Sequence, residues 1–204
     1  MVMPRIKAGS IDEHKLLTRS HILAATRELL AENGNADLNL ADLAAIAKIG
    51  RTTIYEYFRD RDDLIASLVE EELPSVIAEL MEGLQGVAAP TERLLRLAEL
   101  TVEFVATDPV LGLILHREVP RLSFETQDRI RMAHNDLSTA MVGFYLEAVA
   151  AGRFRAMAPD LAGRLIHDTT MSAARSVIAA PDRLAEVTAN LRQFLGGGFA
   201  SGSR

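Results

Sequence analysis

Cysteine is absent from the 204 residues. That excludes a disulfide framework, a thiolate metal site and a nucleophilic cysteine together, and it is compatible with a reducing cytoplasm. Apolar runs of membrane length are missing too. A span needs about 20 nearly uncharged residues, and stretches such as VGFYLEAVAA are cut by a charge, here Glu147. The N-terminal MVMPRIKAGSIDEHK carries basic residues with no apolar core behind them, so no secretory leader is expected. Motifs of turnover are lacking as well. There is no GxSxG elbow, Walker or GxGxxG loop, HExxH, or Glu-x-x-His repeat for a carboxylate metal site, so the chain is not expected to be an enzyme. His116, His134 and His167 fall on separate predicted helices without paired spacing, so no metal and no cofactor is expected.

What remains is 49% hydrophobic and 25% charged, an ordinary globular composition with material for a core. The net charge of −6 disfavours a polyanion ligand. It hides an asymmetry. Residues 1–61 hold nine Lys or Arg against eight acids, the remainder thirteen against twenty, and all three lysines fall within the first 48 residues. Two regions with different electrostatic tasks fit this better than one uniform domain.

Neither strand-like alternation nor a hairpin dipeptide is evident, and helical periodicity runs almost throughout. Ser10 and Glu13 have capping-box spacing. Leu16, Ile22, Leu23, Ala25, Leu29 and Leu30 then recur near the 3.6 period, and Asn33-Gly34 supplies a stop, which predicts a helix over about 11–33. Two short helices, LADLAAIA and RTTIYEYF, follow with Lys48, Ile49 and Gly50 between them. Such a joint favours a steep crossing, the helix-turn-helix arrangement. Ile54 and Phe58 are expected to face inward with Leu43 and Ile46.

Beyond residue 60, Pro74, Pro90, Pro109, Pro120, Pro159 and Pro181 mark helix starts or breaks. The spacing predicts helices near 61–73, 75–86, 91–106, 109–117, 121–151, 160–179 and 182–195. The longest, 121–151, is expected to line one face with Ile130, His134, Leu137, Met141, Phe144 or Tyr145, and Ala148. The tail GGGFASGSR is expected to fray. The fold class is therefore all-α: an N-terminal three-helix unit (1–60) and a C-terminal antiparallel helical bundle (61–204), about nine helices in total.

A short exposed helix suits the major groove of B-DNA, where Arg reads guanine and Thr can hydrogen-bond or touch a thymine methyl. Arg51, Thr52, Thr53 and Tyr55 lie on or near its open side. Lys48, Tyr55, Tyr57 and Arg61 have the reach and chemistry for phosphates. Arg5 and Lys7 could form an arm toward a minor groove, or simply a disordered leader.

LLAENG followed by ADLAAIAKIGRTTIYEYFRDRDDL resembles the DNA-binding domain of the TetR family of bacterial transcriptional regulators, over about residues 15–65. The resemblance includes Tyr55 and Phe58 three apart and Arg61 three further on. It implies an all-helical homodimer whose N-terminal helices bind a double-stranded operator and whose C-terminal domain dimerises and binds a small effector, released from a palindromic site as a repressor. It also implies base or backbone contacts from Arg51, Thr52, Thr53 and Tyr55, and phosphate contacts from Tyr57 and Arg61. The turn departs from the family's usual Ala-Gly-Val-Ser, reading Ala47-Lys48-Ile49-Gly50. A left-handed Lys48 would cost about 1–2 kcal/mol, and Gly50 in place of a serine cap a few tenths.

Phe104, His116, Met141, Tyr145 and Asp168 are candidates for an effector pocket inside the bundle, against the plainer reading that they are core. His167 and Asp168 stand beside an apolar stripe, where a buried charge needs a partner. Ala173, Val177, Leu184, Val187, Leu191 and Phe194 are candidates for a dimer interface. The alternative function is a helical sensor or adaptor that acts through protein partners without DNA.

Overall fold

The computed structural model describes residues 8–33 and 38–201. Gly34 of the expected helix stop, and the Arg5 and Lys7 arm, lie outside them, as does the side chain of His116. Among the described residues there are ten α-helices.

The first helix, α1 (Ala8–Asn33), buries Ile22, Leu23, Ala25, Thr26 and Leu30 along one stripe. It begins before Ser10, which therefore sits inside the helix rather than ahead of it. Leu16 stands out in solvent, off the stripe expected of it. Helix α2 (Leu40–Ile46) packs against α1, and α3 (Arg51–Tyr57) packs against α2. Asn39 caps α2, its Oδ1 accepting from the Ala41 N–H at 2.7 Å. Leu43, Ile54 and Phe58 enter the core as expected, but Ile46 is 45% exposed. Ala47, one residue on, takes the inward place because the helix is already ending there.

The long helix α4 (Arg61–Glu82) replaces the two helices expected on either side of Pro74. Proline removes one internal hydrogen bond, yet Pro74 is exposed, so water can reach the carbonyl it leaves free. Leu73, Val76 and Leu80 stay buried and keep the two halves in line.

Helices α5 (Pro90–Thr107) and α6 (Pro109–Leu113) begin at prolines, as expected. The helix expected over 109–117 then changes character. Ile114–Glu118 is a turn of π-helix, and Val119–Arg121, containing Pro120, is 3₁₀. The expected helix 121–151 is two helices, α7 (Phe124–Ala133) and α8 (Asn135–Ala150). His134 separates them, its Nδ1 3.0 Å from the Ile130 carbonyl, and Asn135 and Asp136 are residue types that favour helix starts over interiors. The last two are α9 (Pro159–Ala179) and α10 (Leu184–Phe199), and α5 packs against α8, α9 and α10 in the centre of the bundle. The glycine-rich end does not fray before Phe199, which packs with Tyr145 and Phe154, while Ala200 bridges to Phe154. Among the described residues no helix is long and apolar enough to cross a membrane.

Candidate DNA interface and effector groove

The α2–α3 joint sets the first site. Lys48 adopts φ 54°, the only left-handed non-glycine residue among those described, so the turn keeps the geometry that glycine ordinarily supplies. Gly50 precedes α3 with no side-chain cap. His21 of α1 holds the turn from behind: its Nε2 lies 3.0 Å from the Ala47 carbonyl. Nothing in the one-dimensional pattern singled out His21, because its partner is 26 positions away. Lys48, Arg51, Thr52 and Tyr55 are exposed, Thr53 and Tyr57 half-buried. Arg61 differs. Its guanidinium donates to the carboxylate of Glu118 in the π-turn.

Three residues, Phe58, Arg59 and Asp60, connect α3 to α4, so the start of α4 governs how α3 is held. Asp60 caps α4 by accepting from the Asp63 N–H at 2.8 Å, and this bond holds its carboxyl below the usual range. Burial pushes the Asp63 carboxyl up, but hydrogen bonds from the Arg129 guanidinium and the Arg59 N–H prevail and leave it lowered. Arg129 also forks onto Glu70 at 2.9 and 2.7 Å. Arg27 of α1 bridges Glu72 of α4 and Asp108, the cap of α6.

The second site is a groove of about 840 Å³ bounded by the π/3₁₀ segment, α7, α8 and α9. Leu115, Val119, Phe124, Ile130, Met141 and Met171 give it an apolar lining. Gly163 allows the approach of α9 to α8, since a Cβ there would lie 2.9 Å from Val142 Cγ2. Arg131, Arg164 and Arg175 line it too; the first two pair with Asp128 and Asp160, whereas Arg175 has no ion-pair partner among the described residues. Burial pushes the His134 imidazole down, and His167 adds to the effect.

Of the residues expected in a pocket, Met141 and Asp168 line the groove. Tyr145 does not: it is fully buried, its hydroxyl donating to the Arg155 carbonyl and accepting from the Met157 N–H, both at 2.9 Å. Phe104 packs against the core outside the groove. His167 and Asp168 are exposed and pair with each other at 3.1 Å, so they pose no buried-charge problem. Val177, Val187 and Leu191, expected at a dimer interface, are consumed by the chain's own core; Ala173 and Leu184 are partly buried against it, and Phe194 is 65% exposed. The residues that the sequence reading missed, Phe124, Arg131, Arg164 and Arg175, carry no local signature beyond their charge or apolarity.

A recognition helix on a three-helix head and a ligand-sized groove in a helical body define a helix-turn-helix transcriptional regulator. Residues 22–68 match the model for bacterial regulatory proteins of the tetR family, and residues 87–175 the tetracyclin repressor-like C-terminal domain. The chain belongs to the TetR family of DNA-binding transcriptional regulators. It is 24% identical over 134 residues to the fatty acid metabolism regulator protein of Bacillus subtilis, covering 66% of this chain and 69% of that protein. It is also 24% identical over 159 residues to the transcriptional repressor KstR2 of Mycolicibacterium smegmatis, covering 77% and 78%. Among solved structures, FadR from Bacillus subtilis in complex with stearoyl-CoA superposes with a TM-score of 0.76 at 21% identity, over 88% of this chain and 98% of that one.

Proposed function

We propose that this protein is a cytoplasmic, non-enzymatic repressor that leaves a near-palindromic operator when a long-chain acyl thioester occupies the groove. The groove carries the reading. Its volume falls in the range of small-molecule sites, roughly 300–1,000 Å³, and its apolar lining beside Arg131, Arg164 and Arg175 suits a ligand with a long apolar body and an anionic head. Its relative FadR was solved with a ligand of that class.

The DNA-binding unit is taken as residues 1–60, with Arg51, Thr52, Thr53 and Tyr55 toward bases or the adjoining backbone and Lys48 and Tyr57 toward phosphates. Residues 61–204 form the effector-binding and dimerisation unit. A homodimer through α9 and α10 is supported by what they leave uncovered: Leu161, Leu165 and Phe194 are exposed, and a Cβ at Gly197 or Gly198 would meet nothing within 4 Å. Glycine inside a helix costs about 1 kcal/mol relative to alanine, and the chain itself makes no use of these two.

The test is fluorescence anisotropy of the purified protein on duplexes from its own promoter, with stearoyl-CoA or free coenzyme A added. Stearoyl-CoA is expected to release the duplex and coenzyme A to leave it bound. Arg51→Ala is expected to cost about 1–3 kcal/mol of discrimination at one base pair. Indifference to acyl chains of every length would end the effector reading, and equal affinity for random DNA the operator reading.

A further inference from the structure

The first three residues of α4 each bind a residue whose sequence neighbours line the groove. Arg61 pairs with Glu118, Asp62 Oδ2 accepts from the Ser123 N–H at 2.9 Å, and Asp63 receives Arg129 at 2.6 Å. Of these partners Glu118 is the unusual one. It is 1% exposed, its Oε2 takes Arg61, and its Oε1 makes no hydrogen bond; the nearest cation to that oxygen is Arg121 at 3.6 Å. A buried carboxylate so poorly satisfied depends most on the one guanidinium that hydrogen-bonds it. The backbone that carries it also departs from the α-helix, a π-turn running straight into a 3₁₀ turn, and such departures recur where helices do work. Leu115, Val119 and Pro120, on either side of Glu118, line the groove.

We infer that Arg61 serves operator binding through Glu118, fixing the start of α4 and hence the pose of α3, rather than by touching a phosphate, and that pressure on the π/3₁₀ segment from the groove loosens this grip. The second half rests on the groove being the effector site. The geometry explains the leverage. Only three residues separate α3 from Arg61, and two recognition helices must meet successive major grooves about 34 Å apart, so a small shift at the α4 start spoils the fit.

The measurement is operator affinity as a function of salt for the full-length dimer and for Arg61→Gln, Glu118→Gln and the double variant, with no effector present. A positioning pair predicts that each single variant weakens the operator about tenfold, within the span of ordinary intersite coupling. The double variant should then be no worse than either single one, and the salt slope should stay unchanged. A phosphate contact predicts otherwise: Arg61→Gln lowers the slope by about 0.9, while Glu118→Gln, which releases the arginine, leaves binding intact or tightens it. That pattern overturns the inference. If the Gln variants lose cooperative melting, Arg61→Leu with Glu118→Met restores an apolar contact and must show the same weakening at constant slope, or the inference falls. With stearoyl-CoA as probe, the variants should bind it as the parent does while the operator affinity changes less than threefold on saturation, against about tenfold for the parent; retained coupling refutes the transmission step. Failure of the parent to bind any acyl thioester would strike the effector reading alone, because the salt series is free of ligand.

Discussion

His21 of α1 and the Ala47 carbonyl, 3.0 Å apart, fasten the helix-turn-helix joint to the helix behind it. Ala47 is where α2 ends, and its carbonyl has no regular helical successor to bond. The Nε2 of His21 supplies the missing donor. Replacing His21 with Phe keeps the bulk and withdraws the donor, a change worth about 1 kcal/mol for a part-buried hydrogen bond. The expected result is a small drop in the urea midpoint with a larger drop in operator affinity, because the joint aims α3. Unchanged operator binding would show that the joint needs no such fastening.

Lys48 combines a backbone liability with a useful charge. Its φ of 54° costs about 1–2 kcal/mol relative to glycine, and its ammonium is exposed beside the start of α3. Lys48→Gly is therefore expected to raise the melting temperature by about 2–4 °C for each kcal/mol recovered. If the ammonium meets a phosphate, the same change lowers the salt slope of operator binding by about 0.9. Calorimetry and a salt titration on one variant thus read two opposed effects. A fall in stability would mean that Lys48 makes a contact in the folded state that outweighs its strain.

The elements legible along the chain were those made by neighbours in sequence. The α2–α3 pair, the inward Leu43, Ile54 and Phe58, and the proline-started helices α5, α6 and α9 follow from periodicity and backbone chemistry, and the TetR resemblance reinforced the first. The rest was not legible where a distant residue decides. Arg61 has the same charge whether it faces DNA or Glu118, 57 positions on. Tyr145 looks like a pocket residue until Arg155 and Met157 claim its hydroxyl. Pro74 reads as a break unless its exposure is known, and the continuous apolar stripe through residues 121–151 conceals the interruption at His134.

The uncovered faces of α9 and α10 make the dimer testable by size. Phe194 is 65% exposed and Leu165 44%, and the helix around Gly197 offers a surface without side chains for another helix to approach. Phe194→Glu puts a charge into the proposed contact, and Gly197→Leu fills the space a partner helix needs. Both should shift sedimentation toward the monomer at micromolar concentration while leaving helix content unchanged, since neither side chain is required by the chain's own core. Operator affinity should fall with them, because two linked half-site contacts become one. Retention of the parent's mass by both variants would move the interface elsewhere.

His134 gives the fold a pH dependence of definite sign. Burial against the groove lowers its proton affinity, and the neighbouring His167 lowers it further. The Nδ1 contact with the Ile130 carbonyl requires a proton on that nitrogen, so in the folded state the neutral ring is the Nδ1–H form. Below the ordinary imidazole value of about 6.5 the unfolded chain takes up a proton that folded His134 resists. Stability is thus complete above that value and declines as the pH falls through it, until folded His134 itself protonates. Asp60 and Asp63 have lowered carboxyl values, so their contributions persist above about 3.9 and are lost only in stronger acid, whereas burial raises the Glu72 carboxyl, which acts in the opposite sense to His134 as the pH falls and is common to parent and variant. His134→Gln retains a polar side chain at the α7–α8 break without an ionisable group. Urea midpoints at pH 7.5 and 5.5 should differ less for this variant than for the parent. Equal differences would mean that His134 protonates as readily in the folded chain as in the unfolded one, and the burial of its ring could then carry no electrostatic cost.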